Sequence, residues 1–346
     1  MDSRERVRTA LTGKRPDRVP CALGFFTQSL FGSDDADELF QTDVRFVEFA
    51  PPLRQDRFLE YLGSLPPGVH VGSRAQLRTY HEWNYDPATP STLAPVGIGA
   101  LSARLARLLP QVTEPRRHAH LTERVRQLHA QGMAVAGAPP HLGGELFESA
   151  WRLRGFELFM QDLLESPDLV EYLLDQLAAM AAESAAVFAK AGVDVLLLDD
   201  DVARAGGLLI SPGMWRRFFK PRLARIIEAG RREANDLLVF YHSDGDFSAL
   251  LADLVEIGVD VVNPVAPDCM DAPAIRRAFG DRLAMWGTVG TAWMWDRGGP
   301  TQIREEVRSR IESLGGTGVL LSPAYDLDFA LRENVTAFVQ AVREFG

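Results

Sequence analysis

From about residue 133 onward, short apolar runs alternate with helical stretches, and this alternation restricts the possible folds more than any other feature of the chain. The runs are apolar along nearly their whole length, which is typical of parallel strands that are covered on both faces. Repeated β-α units of this kind build either an open doubly wound sheet or a closed barrel. The runs lie at 133–138, 194–199, 237–242, 260–265, 282–287 and 318–323.

Helix boundary signals separate these runs. Ser166-Pro167 and Ser211-Pro212 each place a capping residue before a proline that fits the first helical turn. Gly192 and Gly230 follow at helical distances, and we predict that each of them ends one of the two helices. The order of helix, glycine, short polar step and strand then recurs along the chain.

Two further apolar segments, 18–25 and 68–73, bring the predicted strand count to eight, which favours a (β/α)8 barrel. Neither a GxGxxG motif nor a P-loop follows the first strand, which weakens the nucleotide-binding alternative. No break in composition indicates a second domain, so we predict one α/β domain over 1–346. It is a (β/α)8 TIM barrel with an N-terminal helical decoration, in which 75–132 supplies an irregular segment and an amphipathic helix. The apolar positions of that helix are Leu121, Val125 and Leu128.

Composition argues for a small-molecule partner. The 47 acidic residues outnumber the 37 basic ones, the net charge is -10, and no basic block occurs, so nucleic acid and anionic lipid are excluded as partners. No apolar run approaches the roughly 18 residues that a membrane span needs. The first ten residues are charged where a signal peptide is apolar, and two cysteines cannot form a disulfide framework. We therefore expect a soluble cytoplasmic protein.

Residues that follow the strands of a barrel converge on one open end, where the active site lies in essentially every characterised case. Acidic side chains dominate these positions here, and aromatic side chains accompany them. The residues are Phe25, Phe26, His141, Glu145, Glu148, Asp199, Asp200, Asp201, His242, Asp244, Asn263, Thr288, Tyr325 and Asp326.

The clearest of these positions is the pair His242 and Asp244. An H-x-D step at the end of an extended strand points both side chains the same way, which suits metal ligation or a carboxylate that orients an imidazole. A lone histidine at such a place is more often an ordinary core residue with satisfied hydrogen bonds. Asp244, two residues later, is what favours the functional interpretation.

The acidic run Asp199-Asp200-Asp201 allows two interpretations. The three carboxylates can serve as a loop cap, a solvated group and a ligand of backbone amides. They can also repel one another, which raises a pKa or attracts a cation or a cationic substrate. Glu145 and Glu148 are spaced to share a helix face, although acids near a helix N-terminus are also favoured by the helix dipole.

Several segments resemble the uroporphyrinogen decarboxylase family, whose superfamily also holds corrinoid-dependent methyltransferases similar to methylcobamide:coenzyme M methyltransferase. The resemblance covers nearly the whole chain, and its motifs occur in order. It implies a single (β/α)8 barrel. The segments are RERVRTALTGKRPDRVPCALGF, WRLRGFELFMQDLLESPDLVEYLLD, GVDVLLLDDD, GLLISPGMWRRFFKPRLARII, YHSDGDFSALLADLVEIGVDVVNPV and FGDRLAMWGTVGT.

Departures from the family's sequence patterns reduce the number of activities that we expect for this chain. True decarboxylases resemble PVWFMRQAGRY after the first strand, whereas this chain has no arginine between Arg18 and Arg45 to clamp substrate carboxylates, so we do not expect uroporphyrinogen decarboxylation. Thiol-methylating members of the superfamily have a pattern similar to H-x-C-G at the strand that ends here in His242, and a further cysteine later in the chain. Here His242 and Gly245 remain but Asp244 replaces the cysteine, which suits zinc or a similar ion that binds oxygen.

The HSDG form resembles a branch of the superfamily that includes enzymes demethylating methoxylated compounds. In that branch a metal polarises the ether oxygen and a partner corrinoid takes the methyl group. HEWN at 81–84 partly matches the D-E-W-G pattern of the branch and keeps Glu82 and Trp83. DDDVARAGG at 199–207 resembles the G-D-D-x-G-T-Q-x-G pattern of the branch and keeps Asp200 and Asp201.

Three hypotheses follow. The first is metal-assisted methyl transfer on a small, possibly methoxylated, molecule, with the corrinoid on a separate protein because no D-x-H-x-x-G cobalamin motif occurs. The second is a cofactor-free decarboxylase or lyase acting on a small acid, and the third is a barrel that binds a ligand without catalysis. A homodimer is the default expectation for a soluble enzyme of this size. The first hypothesis assigns the metal to His242, Asp244 and Glu148, catalysis to Asp200, Asp201, Glu82 and Tyr325, and substrate binding to Phe25, Phe26, Trp83, Asn263 and Thr288.

Overall fold

The computed structural model describes residues 1–50, 97–108, 112, 114–141 and 143–346. Seven parallel strands form a curled sheet in the order β1-β2-β3-β6-β7-β8-β9, and the short strands β4 and β5 form an antiparallel hairpin beside it. The strands are β1 Val44–Val47, β2 Ala134–Gly137, β3 Val195–Asp199, β4 Ala203–Arg204, β5 Gly207–Leu208, β6 Leu238–His242, β7 Val261–Asn263, β8 Ala284–Trp286 and β9 Val319–Leu320.

The segment around Cys21 occupies the eighth position and joins the two ends of the sheet. Leu321 N donates to Pro20 O at 3.0 Å and Ala22 N donates to Leu321 O at 3.1 Å, which connects this segment to the end of β9. On its other side, Asp43 N donates to Cys21 O at 2.9 Å, immediately before β1. The architecture is therefore the predicted α/β barrel, although the predicted strand 18–25 is reduced to a bridge at Cys21.

One barrel strand was absent from the sequence prediction. β1 pairs directly with β2, with Val44 opposite Ala134, so Val44–Val47 holds the position that the prediction gave to 68–73. The segment 68–73 itself lies outside the described residues. The other six predicted strands are confirmed, each of them shorter than its apolar run.

Fifteen α-helices accompany the sheet in the described part of the chain. They are α1 Ser3–Leu11, α2 Ala36–Phe40, α3 Ile98–Leu108, α4 Pro115–His118, α5 Leu121–Ala130, α6 Phe147–Arg154, α7 Phe156–Glu165, α8 Pro167–Ala191, α9 Pro212–Phe218, α10 Lys220–Glu233, α11 Leu251–Glu256, α12 Ala272–Phe279, α13 Ala292–Arg297, α14 Pro300–Leu314 and α15 Arg332–Phe345, with 3-10 turns at Ser248–Leu250 and Gly280–Arg282. Among the described helices, none combines the length and the apolarity needed to cross a bilayer.

The predicted helix boundaries are mostly confirmed. α8 ends at Gly192, which adopts the left-handed conformation with a φ of 92°. Ser211 caps α9, since its hydroxyl accepts a hydrogen bond from Met214 N at 3.2 Å. The prediction that Gly230 ends a helix is wrong, because α10 continues to Glu233. A Cβ at Gly230 would lie 2.9 Å from a Leu237 methyl, so this glycine permits close packing against the strand.

The predicted amphipathic helix is α5, and its three predicted apolar residues are all buried. A second helix, α1, closes the barrel at its amino-terminal end. Val7 and Leu11 of α1 belong to the same buried cluster as the inward-facing strand residues, which include Phe240 and Trp286. The amino-terminal end of the barrel is thus filled by apolar packing, and polar chemistry is left to the opposite end.

Candidate metal and substrate site

Strand register brings three polar side chains into one row at the carboxyl end of the barrel. Asp199, the last residue of β3, lies opposite His242, the last residue of β6. His242 in turn lies opposite Asn263, the last residue of β7. Because successive residues of a strand alternate between faces, paired positions on neighbouring parallel strands project to the same side.

Asn263 fixes the orientation of the His242 ring. His242 Nδ1 lies 2.6 Å from Asn263 Oδ1, and the amide group of Asn263 donates its Nδ2 hydrogen to Trp286 O at 2.9 Å. Asn263 Oδ1 is therefore the acceptor, and Nδ1 of His242 carries the proton. In the neutral ring this leaves the Nε2 lone pair free. Phe25 stacks on the ring with a centroid distance of 4.4 Å.

His242 Nε2 faces three carboxylates. Its distances are 3.5 Å to Asp201 Oδ1, 3.7 Å to Asp244 Oδ1 and 3.9 Å to Asp199 Oδ1. One ligand atom from each of Asp199, Asp201 and His242 lies within 4.8 Å of the others. We call these three residues with Asp244 the donor cluster.

The electrostatics of the donor cluster favour a bound cation. Burial raises the pKa of Asp199 well above its ordinary value, and the neighbouring Asp201 carboxylate raises it further. Burial also raises the pKa of Asp244. Asp199 Oδ1 is buried and has no hydrogen-bond partner in the described part of the chain. An imidazole nitrogen with carboxylate oxygens suits zinc or a similar divalent ion, so the residues present fit a metal.

Asp200 is turned away from its two acidic neighbours. Its carboxylate accepts hydrogen bonds from Phe147 N at 2.8 Å and Glu148 N at 3.0 Å, at the N-terminus of α6. Burial raises the pKa of Asp200 to about 7. The structure thus gives Asp200, predicted as a catalytic group, the position of a ligand for helix amides.

Glu148 and Asp244, both predicted as metal ligands, lie outside the group of ligand atoms within 4.8 Å, which contains Asp199 and Asp201 beside His242. Glu148 Oε1 accepts from Arg152 Nη2 at 3.0 Å, and burial raises the pKa of this carboxyl to about 8. Glu145 is also buried, and its Oε2 accepts from Asp199 N at 2.6 Å. Glu145 is therefore bonded to the backbone of a donor-cluster residue, whereas Glu148 is paired with Arg152.

A cavity of about 570 Å³ opens in front of the donor cluster. Thr288, predicted to bind substrate, is fully buried and is not among the described residues that line it. Glu82 and Trp83 lie outside the described residues. The lining does include six of the residues to which the first hypothesis gave a role, namely Phe25, Phe26, His242, Asp244, Asn263 and Tyr325.

Sequence reasoning missed the contribution of α13. Trp293, Trp295, Asp296 and Arg297 all line the cavity. They come shortly after the end of β8, in the segment WMWDR, so their place after a barrel strand was the available signal. Reading farther into each loop would have found them.

Comparison with known proteins agrees with this architecture. A family model described as uroporphyrinogen decarboxylase (URO-D) matches residues 105–345. A methylcobamide:CoM methyltransferase of Methanosarcina barkeri is 28% identical over 187 residues, which are 54% of this chain and 52% of that protein. A uroporphyrinogen decarboxylase of Coxiella burnetii is 28% identical over 188 residues, 53% of this chain and 49% of that one. The matched part thus spans about half the length of these relatives.

A solved structure extends the likeness to the whole chain. The fold is similar to that of a methyltransferase from Methanosarcina mazei, with a TM-score of 0.69 and 19% sequence identity. The alignment covers 100% of this chain and 99% of the other. At this identity the likeness concerns the fold alone.

Proposed function

Since the chain belongs to the uroporphyrinogen decarboxylase family, we propose that it is a metal-assisted methyltransferase that acts on a small molecule. The observation that carries the proposal is the geometry of His242, whose Nε2 faces Asp199, Asp201 and Asp244 while Asn263 holds Nδ1. This arrangement offers one nitrogen and several oxygens to a cation at the open end of a barrel.

The proposal assigns the metal to Asp199, Asp201 and His242, with Asp244 as a further carboxylate. When bound, the divalent cation supplies Lewis-acid polarisation of a substrate oxygen. Phe25 holds the imidazole plane by stacking, and Asn263 keeps its free nitrogen directed at the carboxylates. A reduced corrinoid on a separate protein would accept the methyl group as the bond from methyl to the substrate oxygen breaks, and the oxygen would keep the bonding electron pair beside the metal site.

We assign Tyr325 to substrate binding. Its side chain lines the cavity, and its hydroxyl donates to Asp268, which fixes the ring at the rim. Phe25 and Phe26 line the same cavity with their rings in an edge-to-face contact at 4.8 Å. These aromatic surfaces exclude water from the apolar part of a bound substrate.

Metal content tests the proposal. The purified protein, loaded with zinc and passed through a desalting column, should retain about one zinc per chain, because three carboxylates lie within 4 Å of His242 Nε2. His242→Ala and Asp201→Asn should lose most of it. Asp236→Asn is the matched control, because this exposed carboxylate lies at the other end of the barrel beside Arg8. Equal zinc retention by His242→Ala and the wild type would refute the assignment.

A further inference from the structure

The cavity in front of the donor cluster changes in chemical character from floor to mouth. His242, Asp199 and Asn263 form the floor at the strand ends. Aromatic side chains contribute to the walls. At the mouth, Asp326 and Trp293 are exposed to solvent while they line the same space. A ligand that fills the cavity therefore meets oxygen-binding groups, then aromatic faces, then carboxylates.

Acidic side chains outnumber basic ones in the described lining of the cavity. Among the described lining residues, carboxylates come from five positions and the only guanidinium comes from Arg297. Arg297 Nε already lies 3.2 Å from Asp296 Oδ2, so its charge is compensated within the lining. The acidic residues are Glu48, Asp199, Asp244, Asp296 and Asp326.

Asp326 is the acidic group best placed to meet a ligand at the mouth. Within the described residues its carboxylate makes no hydrogen bond or ion pair. Partial burial, followed by the neighbouring Asp328 and Asp244 carboxylates, raises the pKa of Asp326 to about 6. It is therefore ionised at pH 8, where it gives the mouth a negative charge beside the aromatic surface of Tyr325.

An independent feature of the same cavity also calls for a ligand. His141 follows β2, is 6% exposed and lines the cavity, and its Nδ1 has no hydrogen-bond partner in the described part of the chain. Burial, assisted by the nearby His242 and Arg152, lowers the pKa of His141 to about 3. The ring is thus neutral at physiological pH and adds no positive charge. A buried polar nitrogen without a partner is costly unless a ligand or water bonds it.

We propose that the cavity selects an organic cation, with the oxygen of the molecule at the donor cluster and an ammonium group at the mouth near Asp326. Carboxylates attract the charge of such a ligand, and aromatic faces such as that of Trp293 favour ammonium groups through the ring quadrupole. The position of the oxygen rests on the proposed function, whereas the preference for positive charge does not. An anionic ligand meets repulsion from the same groups.

Three ligands with nearly identical shapes but different charges can show whether the cavity selects its ligand by charge or by size. They are para-methoxyphenethylammonium, para-methoxyphenethyl alcohol and para-methoxyphenylacetate, measured by isothermal titration calorimetry at pH 8. The ammonium compound should bind about threefold to tenfold more tightly than the alcohol, and the acetate should bind most weakly. Acetate binding as tight as ammonium binding would overturn the proposal, as would no binding by any of the three.

Variants locate the preference. Asp326→Asn should weaken binding of the ammonium compound about threefold to tenfold and leave the alcohol unchanged, while Asp236→Asn should change neither. An equal effect of Asp326→Asn on all three ligands would mean that this carboxylate does not recognise charge.

His242→Ala separates the two proposals, because it removes the imidazole of the donor cluster and leaves Asp326 in place. A preference for the ammonium compound that persists in His242→Ala supports the present inference. A wild-type protein that shows this preference but neither retains zinc nor transfers a methyl group contradicts the proposed function alone. Methyl transfer from the alcohol with no preference for the ammonium compound contradicts the inference alone.

Discussion

Asn263 controls which nitrogen of His242 is free. Its Oδ1 can only accept, because its Nδ2 donates to Trp286 O, so the proton of the neutral ring is confined to Nδ1. Groups that hydrogen-bond the second ring nitrogen of a metal-binding histidine typically contribute ten- to hundredfold in metal affinity. The site thus depends on a residue that would not itself contact the ion.

We predict that Asn263→Ala weakens zinc binding about tenfold to hundredfold, because the His242 ring loses the hydrogen bond that orients it. Zinc titration against a competing chelator measures the affinity, and circular dichroism verifies that the variant is folded. A folded variant with wild-type zinc affinity would contradict this role of Asn263.

Gly245 is required by the approach of the β4–β5 hairpin to the loop that carries Asp244. Its φ is +83°, and a Cβ there would lie 2.4–2.6 Å from the Arg204 backbone. Asp246 N also donates to Arg204 O at 3.0 Å, which ties the two loops together. Backbone contacts of the two residues that follow Asp244 therefore position it.

We predict that Gly245→Ala lowers the free energy of unfolding by about 2 kcal/mol, because the methyl group forces the hairpin away and strains the left-handed backbone. Gly206→Ala, within the same hairpin, is the control: it has open space around its Cβ and no positive φ. Urea denaturation compares the two variants. Equal stability of Gly245→Ala and Gly206→Ala would contradict the packing argument.

The residue types at the site could be predicted, but their grouping could not. His242 and Asp244 were assigned to the metal on the basis of the H-x-D step alone, and Asp244 Oδ1 lies 3.7 Å from His242 Nε2. The sequence prediction gave Glu148, and not Asp199, to the metal. The proximity of Asp199 to His242 depends on the pairing of β3 with β6, which the sequence alone does not show. Strand alternation, applied to the acidic run, would have sent Asp200 to the opposite side from its two neighbours.

At the scale of the elements, β1 was missed because one of its residues is charged. The Arg45 guanidinium is satisfied locally, donating to Thr42 O at 3.1 Å and to Val44 O at 2.7 Å. The charge is thereby accommodated in a buried strand, but in the sequence it interrupts the apolar run. A hydrogen-bonding pattern of this kind is visible only in the folded chain.

The short helix α2 is connected to the barrel by Asp37. Its Oδ1 accepts from Leu23 N at 2.9 Å and from the Thr42 hydroxyl at 2.5 Å, while Oδ2 is buried without a partner in the described part of the chain. Burial raises the pKa of Asp37 to about 7, although both hydrogen bonds oppose this shift. The folded state therefore favours the protonated acid.

We predict that Asp37 makes the protein less stable as the pH rises. A pKa raised on folding contributes stability at low pH, and this contribution is lost as the pH rises through about 7. Between pH 5 and pH 8 the wild type should lose about 2 kcal/mol relative to Asp37→Asn, in which nothing ionises. Urea denaturation at both pH values measures the difference, with Asp34→Asn as an exposed control. A constant difference would contradict the assignment.

For the whole molecule, the two ends of the barrel have separate tasks. The amino-terminal end is filled by α1, whose Val7 and Leu11 are buried with the strand residues. The carboxyl-terminal end carries the cavity and the donor cluster. The alternation of strands and helices predicted this division, because residues after barrel strands share one end whatever their order in the sequence.

We predict that Leu11→Ala lowers the free energy of unfolding by about 2 to 5 kcal/mol, because it leaves a cavity in close packing. Zinc affinity in native buffer should stay at the wild-type value, since the effects of distant sites are independent. Thermal unfolding and zinc titration on the same preparation measure both quantities. A large loss of zinc affinity in the folded variant would mean that the two ends are coupled.

Binding of one divalent cation by His242 Nε2 and the surrounding carboxylates can be observed by anomalous X-ray diffraction at the zinc edge, from crystals grown with zinc. We expect one strong peak at about 2.1 Å from His242 Nε2, bonded also to Asp199 and Asp201. The absence of a peak there, with zinc bound elsewhere on the chain, would contradict this assignment.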